Sequence, residues 1–313
     1  MTDSPLSLMD TVHVIELGAR DGLLGLPRTI DTLIRVNLIG LLELAGLCEV
    51  EVGAFSLPRS VVPGIDPVPV LDTLGSAPAG MTRSVLVPHL NALDAAFASG
   101  CSDITVTTAA SQAFCRATLG CNIEESLRRI EEISIHARTL GMRMRVRVST
   151  VIDCPFAGTV APAQVAAIVA RLQQIGCRQI CLDDTTGAGT PGTVDTLLRA
   201  CLAEAQMHRL ACHFHDTFGL GLANVVEALE HGIRTFDSSV SGLGGNPHLP
   251  GAAGNLATEE LVHLLDGLGL DSGVDMEGLI LAGDYIDCML ERRTESRVGR
   301  ALRARKAHQR ARK

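Results

Sequence analysis

The chain has 313 residues, 46% of them hydrophobic, and a formal net charge of −8. That is enough apolar material for a large core and marks a globular chain. An acidic body with 3% aromatic residues and no tryptophan argues against nucleic acid as a partner.

The charge is divided along the chain. Residues 292–313 hold ten of the 27 Lys and Arg and a single acid, a local charge of +9, which leaves −17 on residues 1–291. We read 1–291 as one catalytic domain and 292–313 as a basic tail, either a solvated terminal helix or a clamp for phosphates. No stretch reaches the roughly 18 apolar residues of a membrane helix. Met1–Asp10 lacks the basic and apolar segments of a signal peptide, so a cytoplasmic address without a membrane partner is expected.

Short β-type runs alternate with amphipathic stretches. The runs begin near Val12 (VHVIEL), Cys48 (CEVEV), Ser84 (SVLVP), Asp103 (DITVTT), Met144 (MRVRVST), Gln179 (QICLDD), Leu210 (LACHFH) and Thr235 (TFDSSV). They are rich in Val and Ile and bounded by Gly, Pro or polar turns. Pro58–Pro69, after the second run, is either a substrate loop, for which it is long enough, or a plain connection. Leu127, Ile130 and Ile133 recur at helical spacing within 123–140, and Asn122 followed by Glu125 forms a capping pair at its start. Pro162–Ile175 and Asn224–His231 are further helices. Eight strand–helix repeats predict an α/β fold, a single-domain (β/α)8 TIM barrel. A doubly wound open sheet is disfavoured because no phosphate-binding GxGxxG or GxxxxGK[ST] follows the first strand.

Two composition features bear on chemistry. Lys306 and Lys313 are the only lysines, so the body offers none for a Schiff base. Ten cysteines form no CxxC pair. Those in apolar runs, such as Cys48, Cys181 and Cys212, read as small buried hydrophobes in a reduced compartment, with neither disulfides nor a zinc ribbon.

Reactive groups of such a barrel sit at the C-terminal ends of its strands. There the chain places Arg20 and Asp21, Glu51, Asp183 and Asp184, His213 and His215, and Ser239 before a glycine-rich loop. His213 and His215 are two apart on a strand, so both imidazoles face one side and can grip one ion. Asp21 offers a carboxylate, and Asn255 follows the small-residue run Gly251–Gly254. Two nitrogens and two oxygens suit Mg²⁺ or Mn²⁺, with Co²⁺ or Zn²⁺ as competitors. Arg20 is either a surface ion-pairing residue or a fixed cation aimed at a developing enolate. Glu51 is either a buried structural acid or a group that orients Arg20 or moves a proton, and Asp184 is either a structural acid or a functional one. Gly242–Pro247 reads as a mobile lid.

With these residues in view, the chain resembles the 3-hydroxy-3-methylglutaryl-CoA lyase family of metal-dependent barrels. The resemblance lies in ELGARDGL (16–23), CNIEESL (121–127), DTTGAGTP (184–191), HFHDTFG (213–219) and DSSVSGLGGNPHLPGAAGNLATEE (237–260). It implies an acyl-CoA substrate, a homodimer, and retro-Claisen cleavage of a 3-hydroxyacyl-CoA. It also implies Asp21, His213, His215 and Asn255 as ligands of Mg²⁺ or Mn²⁺, Arg20 as the catalytic arginine and Glu51 as an active-site acid. His213 and then Asp184 are the candidate bases. The family's lid reads GLGGCP with a catalytic cysteine, where this chain has Asn246. Its RDGLQNE is here Arg20–Leu26 (RDGLLGL), and a proline before the arginine is Ala19. Three other readings stay open: a citramalyl-CoA-type lyase, a condensing acyltransferase of the isopropylmalate synthase kind, and a metal-binding barrel inactive without the cysteine.

Overall fold

All eight runs are parallel strands of one closed barrel. They are β1 (His13–Glu16), β2 (Glu49–Ala54), β3 (Thr82–Leu86), β4 (Asp103–Ala109), β5 (Arg143–Ser149), β6 (Gln179–Asp184), β7 (Leu210–Phe214) and β8 (Thr235–Ser238). The computed structural model describes residues 11–24, 26, 29–55, 65–245 and 253–312. Each strand pairs with its sequence neighbours, and β1 closes the ring on β8 with Glu16 beside Ser238. Most of the expected substrate loop 58–69 lies outside the described residues; Val68 already opens a helix.

Strand alternation builds two layers of core. On β5, Met144, Val146 and Val148 are buried among the apolar cluster that joins strands to helices. Each such aliphatic side chain contributes roughly 1.5–3 kcal/mol. The alternate positions Arg145 and Arg147 are also buried, but they face the lumen, where Asp237 of β8 takes hydrogen bonds from both. β5 and β8 are not adjacent, so these bonds cross the barrel interior. The lumen is therefore ionic, and its charges must be paired because an uncompensated buried charge costs several kcal/mol.

The helices follow their local signals. α1 to α4 span Thr32–Leu44, Val68–Leu74, Leu90–Ala98 and Gln112–Leu119. α5 (Ile123–Thr139) starts where Asn122 Oδ1 accepts the Glu125 N–H at 2.8 Å. The reciprocal half of the expected capping pair is missing, because Glu125 turns to Arg128 and Arg129. α6 (Pro162–Ile175) and α7 (Pro191–Leu202) each begin on proline, and α8 (Gly221–Glu230) begins before the expected Asn224. Asn224 lies inside it, bonded to the Gly189 carbonyl at 2.9 Å. A small hairpin pairs Asp153–Cys154 with Gly158–Thr159.

α9 (Thr258–Leu268), α10 (Met276–Met289) and α11 (Arg297–Ala311) complete the chain. α11 is held at its start: Ser296 is fully buried and donates to Glu260 at 2.7 Å, and Arg297 reaches Asp216 at 2.9 Å. Further along, Arg303 pairs with Asp287 and Lys306 with Glu277. No helix among the described residues is long and apolar enough to cross a membrane.

Candidate metal and active site

The loop leaving β1 turns through a single 3₁₀ turn, Asp21–Leu23, which sets Arg20 and Asp21 at the mouth of the barrel. Arg20 is 2% exposed, so it is not a surface residue. Its Nε donates to Glu51 Oε2 at 2.7 Å, a second nitrogen shares that oxygen, and Nη1 donates to Asp21 Oδ1 at 2.5 Å. Glu51 lies within β2 and points into the lumen, with Arg147 at 3.6 Å. Burial pushes the Asp21 carboxyl up, but the charges of Arg20, Arg147 and His213 outweigh it and hold it well below the usual carboxylate range.

Across the mouth, β7 and the residue after it deliver His213 and His215, with ring centres 5.0 Å apart. Strand pairing puts Asp183 on one side of His213 and Asp237 on the other. His213 Nδ1 lies 3.4 Å from Asp237 Oδ2, and Nε2 lies 4.0 Å from Asp183 Oδ1. Burial lowers both imidazoles. The carboxylates of Asp183 and Asp237 reverse this for His213, whereas the neighbouring His213 adds to it for His215.

Asn255 joins the group from the segment before α9. Its backbone bridges that of His215, and Nδ2 donates to Asp21 Oδ2 at 2.9 Å and to the Leu243 carbonyl at 3.2 Å. Gly244 is required beside it: a Cβ there would meet Asn255 Nδ2 at 2.7 Å, and φ is +130°.

These residues fit a divalent ion. Asp183, His213 and His215 are all buried, and each offers one ligand atom within 4.8 Å of the others. Asp183 Oδ1 and Asn255 Oδ1 are buried without a hydrogen-bond partner. Buried amide oxygens rarely go unsatisfied, and a cation would satisfy that of Asn255.

The structure thus brings Arg20, Asp21, Glu51, His213, His215 and Asn255 to one mouth. Asp184 is not part of the cluster. As the next residue on β6 it faces the opposite way from Asp183, and its Oδ2 accepts the Gly189 N–H at 2.9 Å, tying down the following turn. Burial raises its carboxyl to about 6. Asn246 lies outside the described residues. Sequence reasoning places Asp183 at the end of its strand without a role for it, and passes over Arg147 and Asp237. The available signal was the period-two Arg pattern of β5, which requires acids somewhere across the lumen.

The chain can now be set beside known proteins. The HMGL-like family model matches residues 11–286. A hydroxymethylglutaryl-CoA lyase of Pseudomonas mevalonii is 44% identical over 96% of this chain and 100% of its own length. The structure of hydroxymethylglutaryl-CoA lyase from Pseudomonas aeruginosa superposes with a TM-score of 0.91 at 40% identity, covering 95% of this chain and 98% of that one. A lyase of the same kind from Acinetobacter baumannii, solved with coenzyme A and 3-methylmalate, gives 0.89 at 29% identity, covering 95% and 96%. The eight-stranded barrel, the buried mouth and a match over nearly the whole length lead to one assignment: the chain belongs to the HMGL-like family.

Proposed function

We propose that this chain is a divalent-metal-dependent carbon–carbon lyase that cleaves 3-hydroxy-3-methylglutaryl-CoA to acetyl-CoA and acetoacetate. The observation that carries the reading is the buried group of His213, His215, Asp183 and Asn255, with two unpaired oxygens, in a chain whose near-full-length relatives bear that name. A cytoplasmic homodimer is part of the proposal. The CoA complex of the Acinetobacter relative supports an acyl-CoA substrate.

Asp21, His213, His215 and Asn255 would hold Mg²⁺ or Mn²⁺. When bound, such an ion supplies Lewis acidity at the substrate's C3 oxygen and carboxylate. His213 suits the ligand role better than the base role. Its Nδ1 faces Asp237, so a single nitrogen remains, and one lone pair cannot both ligate and accept a proton. The C3 hydroxyl proton is better taken by Asp183, whose Oδ1 is unpaired, than by Asp184, which is engaged by Gly189.

As the C2–C3 bond breaks, acetoacetate forms and charge gathers on the thioester oxygen of the acetyl-CoA enolate. Arg20 is set to meet it. A guanidinium has five N–H donors; two are spent on Glu51 and one on Asp21, so two remain in a fixed plane. Glu51 acts as the support that orients Arg20. The enolate carbon then takes a proton, and Asn246 cannot supply one as a thiol would.

Incubation with Mg²⁺ and a panel of 3-hydroxyacyl-CoA thioesters, followed by mass detection of acetyl-CoA, tests the reading. Release from hydroxymethylglutaryl-CoA that stops in chelator is expected. Asn246 favours one second reading, a lyase for a related thioester such as citramalyl-CoA. Turnover of that ester with none of hydroxymethylglutaryl-CoA would establish it.

A further inference from the structure

The N-terminal face of the barrel, opposite the metal mouth, carries a second chemical constellation. Cys48 immediately precedes β2, His13 opens β1 and Glu49 opens β2. Cys48 was expected to be a buried hydrophobe like Cys181 and Cys212; it is exposed, whereas they are buried. Its Sγ lies 3.5 Å from His13 Nδ1, within hydrogen-bond reach for sulfur. His13 Nε2 lies 3.0 Å from Glu49 Oε2. Arg178 holds the same Glu49 oxygen at 3.4 Å, and Glu49 is 2% exposed. Thiol, imidazole and carboxylate therefore stand in line, with the carboxylate fixed from behind. That is the arrangement of an activated nucleophile: the base within reach of the sulfur and itself oriented by a third group.

We propose that Cys48, His13 and Glu49 form a reactive-thiol site that captures low-molecular-weight disulfides by thiol–disulfide exchange. The Cys48 thiolate attacks one sulfur of R–S–S–R. A Cys48–S–S–R bond forms, the original S–S bond breaks, and R–S⁻ leaves with the electron pair and takes a proton from the medium. A second thiol reverses the step, so no further oxidant or reductant is needed. The site stands apart from the lyase reading.

The charges around the thiol agree with this. The hydrogen bond from His13 holds the Cys48 thiol below its ordinary range against the effect of burial. Burial pushes His13 down, but the bonds to Cys48 and Glu49 outweigh it and raise it to about 9. The charged groups facing the pair are Glu49 on β2, which disfavours the thiolate and favours the imidazolium, and Arg145 on β5 and Arg178 before β6, which counter Glu49. The pair therefore favours a thiolate beside an imidazolium more than an isolated cysteine would. The other exposed cysteine, Cys288, has no imidazole against it among the described residues and serves as an internal reference.

The full-length protein is treated with hydroxyethyl disulfide at pH 7, and mixed disulfides at Cys48 and Cys288 are timed by peptide mass. Cys48 is expected to react roughly tenfold faster, as an ordinary thiol is only a few per cent thiolate at that pH. Its rate is expected to level off at a lower pH than that of Cys288, an unassisted thiol. His13→Asn is expected to bring Cys48 within about twofold of Cys288. Equal rates and parallel pH profiles for the two cysteines in the unaltered protein would overturn the proposal, as would a folded His13→Asn variant that keeps the difference.

Discussion

Asn255 donates its amide N–H to Asp21 at 2.9 Å, and this one bond decides which way the amide faces. With Nδ2 engaged by Asp21 and by the Leu243 carbonyl, Oδ1 is left buried and unpaired beside His215. An amide so oriented presents its oxygen as a ligand. Asn255→Ala removes both the proposed ligand and the brace on Asp21. Mn²⁺ affinity is expected to fall by about 10–100-fold, as for loss of groups that hold a metal site. Titration of Mn²⁺ by electron paramagnetic resonance checks this in the absence of substrate. An unchanged affinity would remove Asn255 from the site.

The double grip on Arg20 yields a different signature. Glu51 and Asp21 fix the guanidinium without closing all its donors, so its charge is available only in one plane. Arg20→Lys keeps a positive charge near both acids but loses the fork. Turnover is expected to drop by about 10²–10³, the cost of removing a donor to a developing oxyanion. Mn²⁺ affinity should change little. Loss of turnover and of metal binding together would mean that Arg20 serves only to hold Asp21.

Much of this was legible in the sequence, and the exceptions have physical causes. Strand runs such as Met144–Thr150 and Gln179–Asp184 are short, β-branched and bounded by turns, so period and composition locate them. His213 lies on β7 and His215 directly follows it, still extended in a bridge to Asn255, so their shared face follows from alternation. Asp183 and Asp184 differ only in phase, and the phase is settled by the pairing of Asp183 with His213, a relationship across strands. Arg145 and Asp237 are 92 residues apart, and only barrel closure brings them together. Cys48 looked buried because its run is apolar, but it stands just before the strand, where the barrel floor meets solvent.

Asn246 stands where the resemblance places a cysteine. An amide can donate a hydrogen bond but cannot deliver and recover a proton near neutral pH. If protonation of the enolate limits the reaction, Asn246→Cys raises kcat on hydroxymethylglutaryl-CoA by about tenfold or more, within the range of general acid catalysis. Steady-state kinetics with Mg²⁺ saturating checks it. A lower kcat in the variant would mean that the loop is tuned to another thioester.

The basic tail divides into a docked start and an exposed end. Ser296 and Arg297 bind Glu260, and Arg297 also binds Asp216, the residue after His215. Ending the chain at Glu295 strips Glu260 of these partners and is expected to lower stability by about 1–3 kcal/mol, the cost of an unsatisfied buried group. Ending it at Ala304 preserves them. Thermal unfolding of the two truncations should differ accordingly. If the second truncation also raises KM for the CoA thioester, the exposed cations contact its phosphates.

The Val240–Gly242 turn rests on buried acids, and this makes stability depend on pH. Glu259 is fully buried and accepts the Ser241 N–H with both oxygens at 3.0 Å; Ser241 itself holds the left-handed φ of +60°. Burial raises Glu259 to about 8, and burial raises Glu16, which accepts the Val240 N–H, to about 7. In the unfolded chain both titrate near 4.3. Between those values the folded state binds more protons, so stability is full below the unfolded pKa and falls as pH rises through about 7 and then 8. Glu259→Gln keeps an acceptor for Ser241 but carries no charge. Its Tm is expected to decline less than that of the unaltered protein between pH 6 and pH 9, by about 2 °C or more. Unfolding scans of both proteins in chelator across that range provide the measurement, and parallel curves would show that Glu259 does not titrate there.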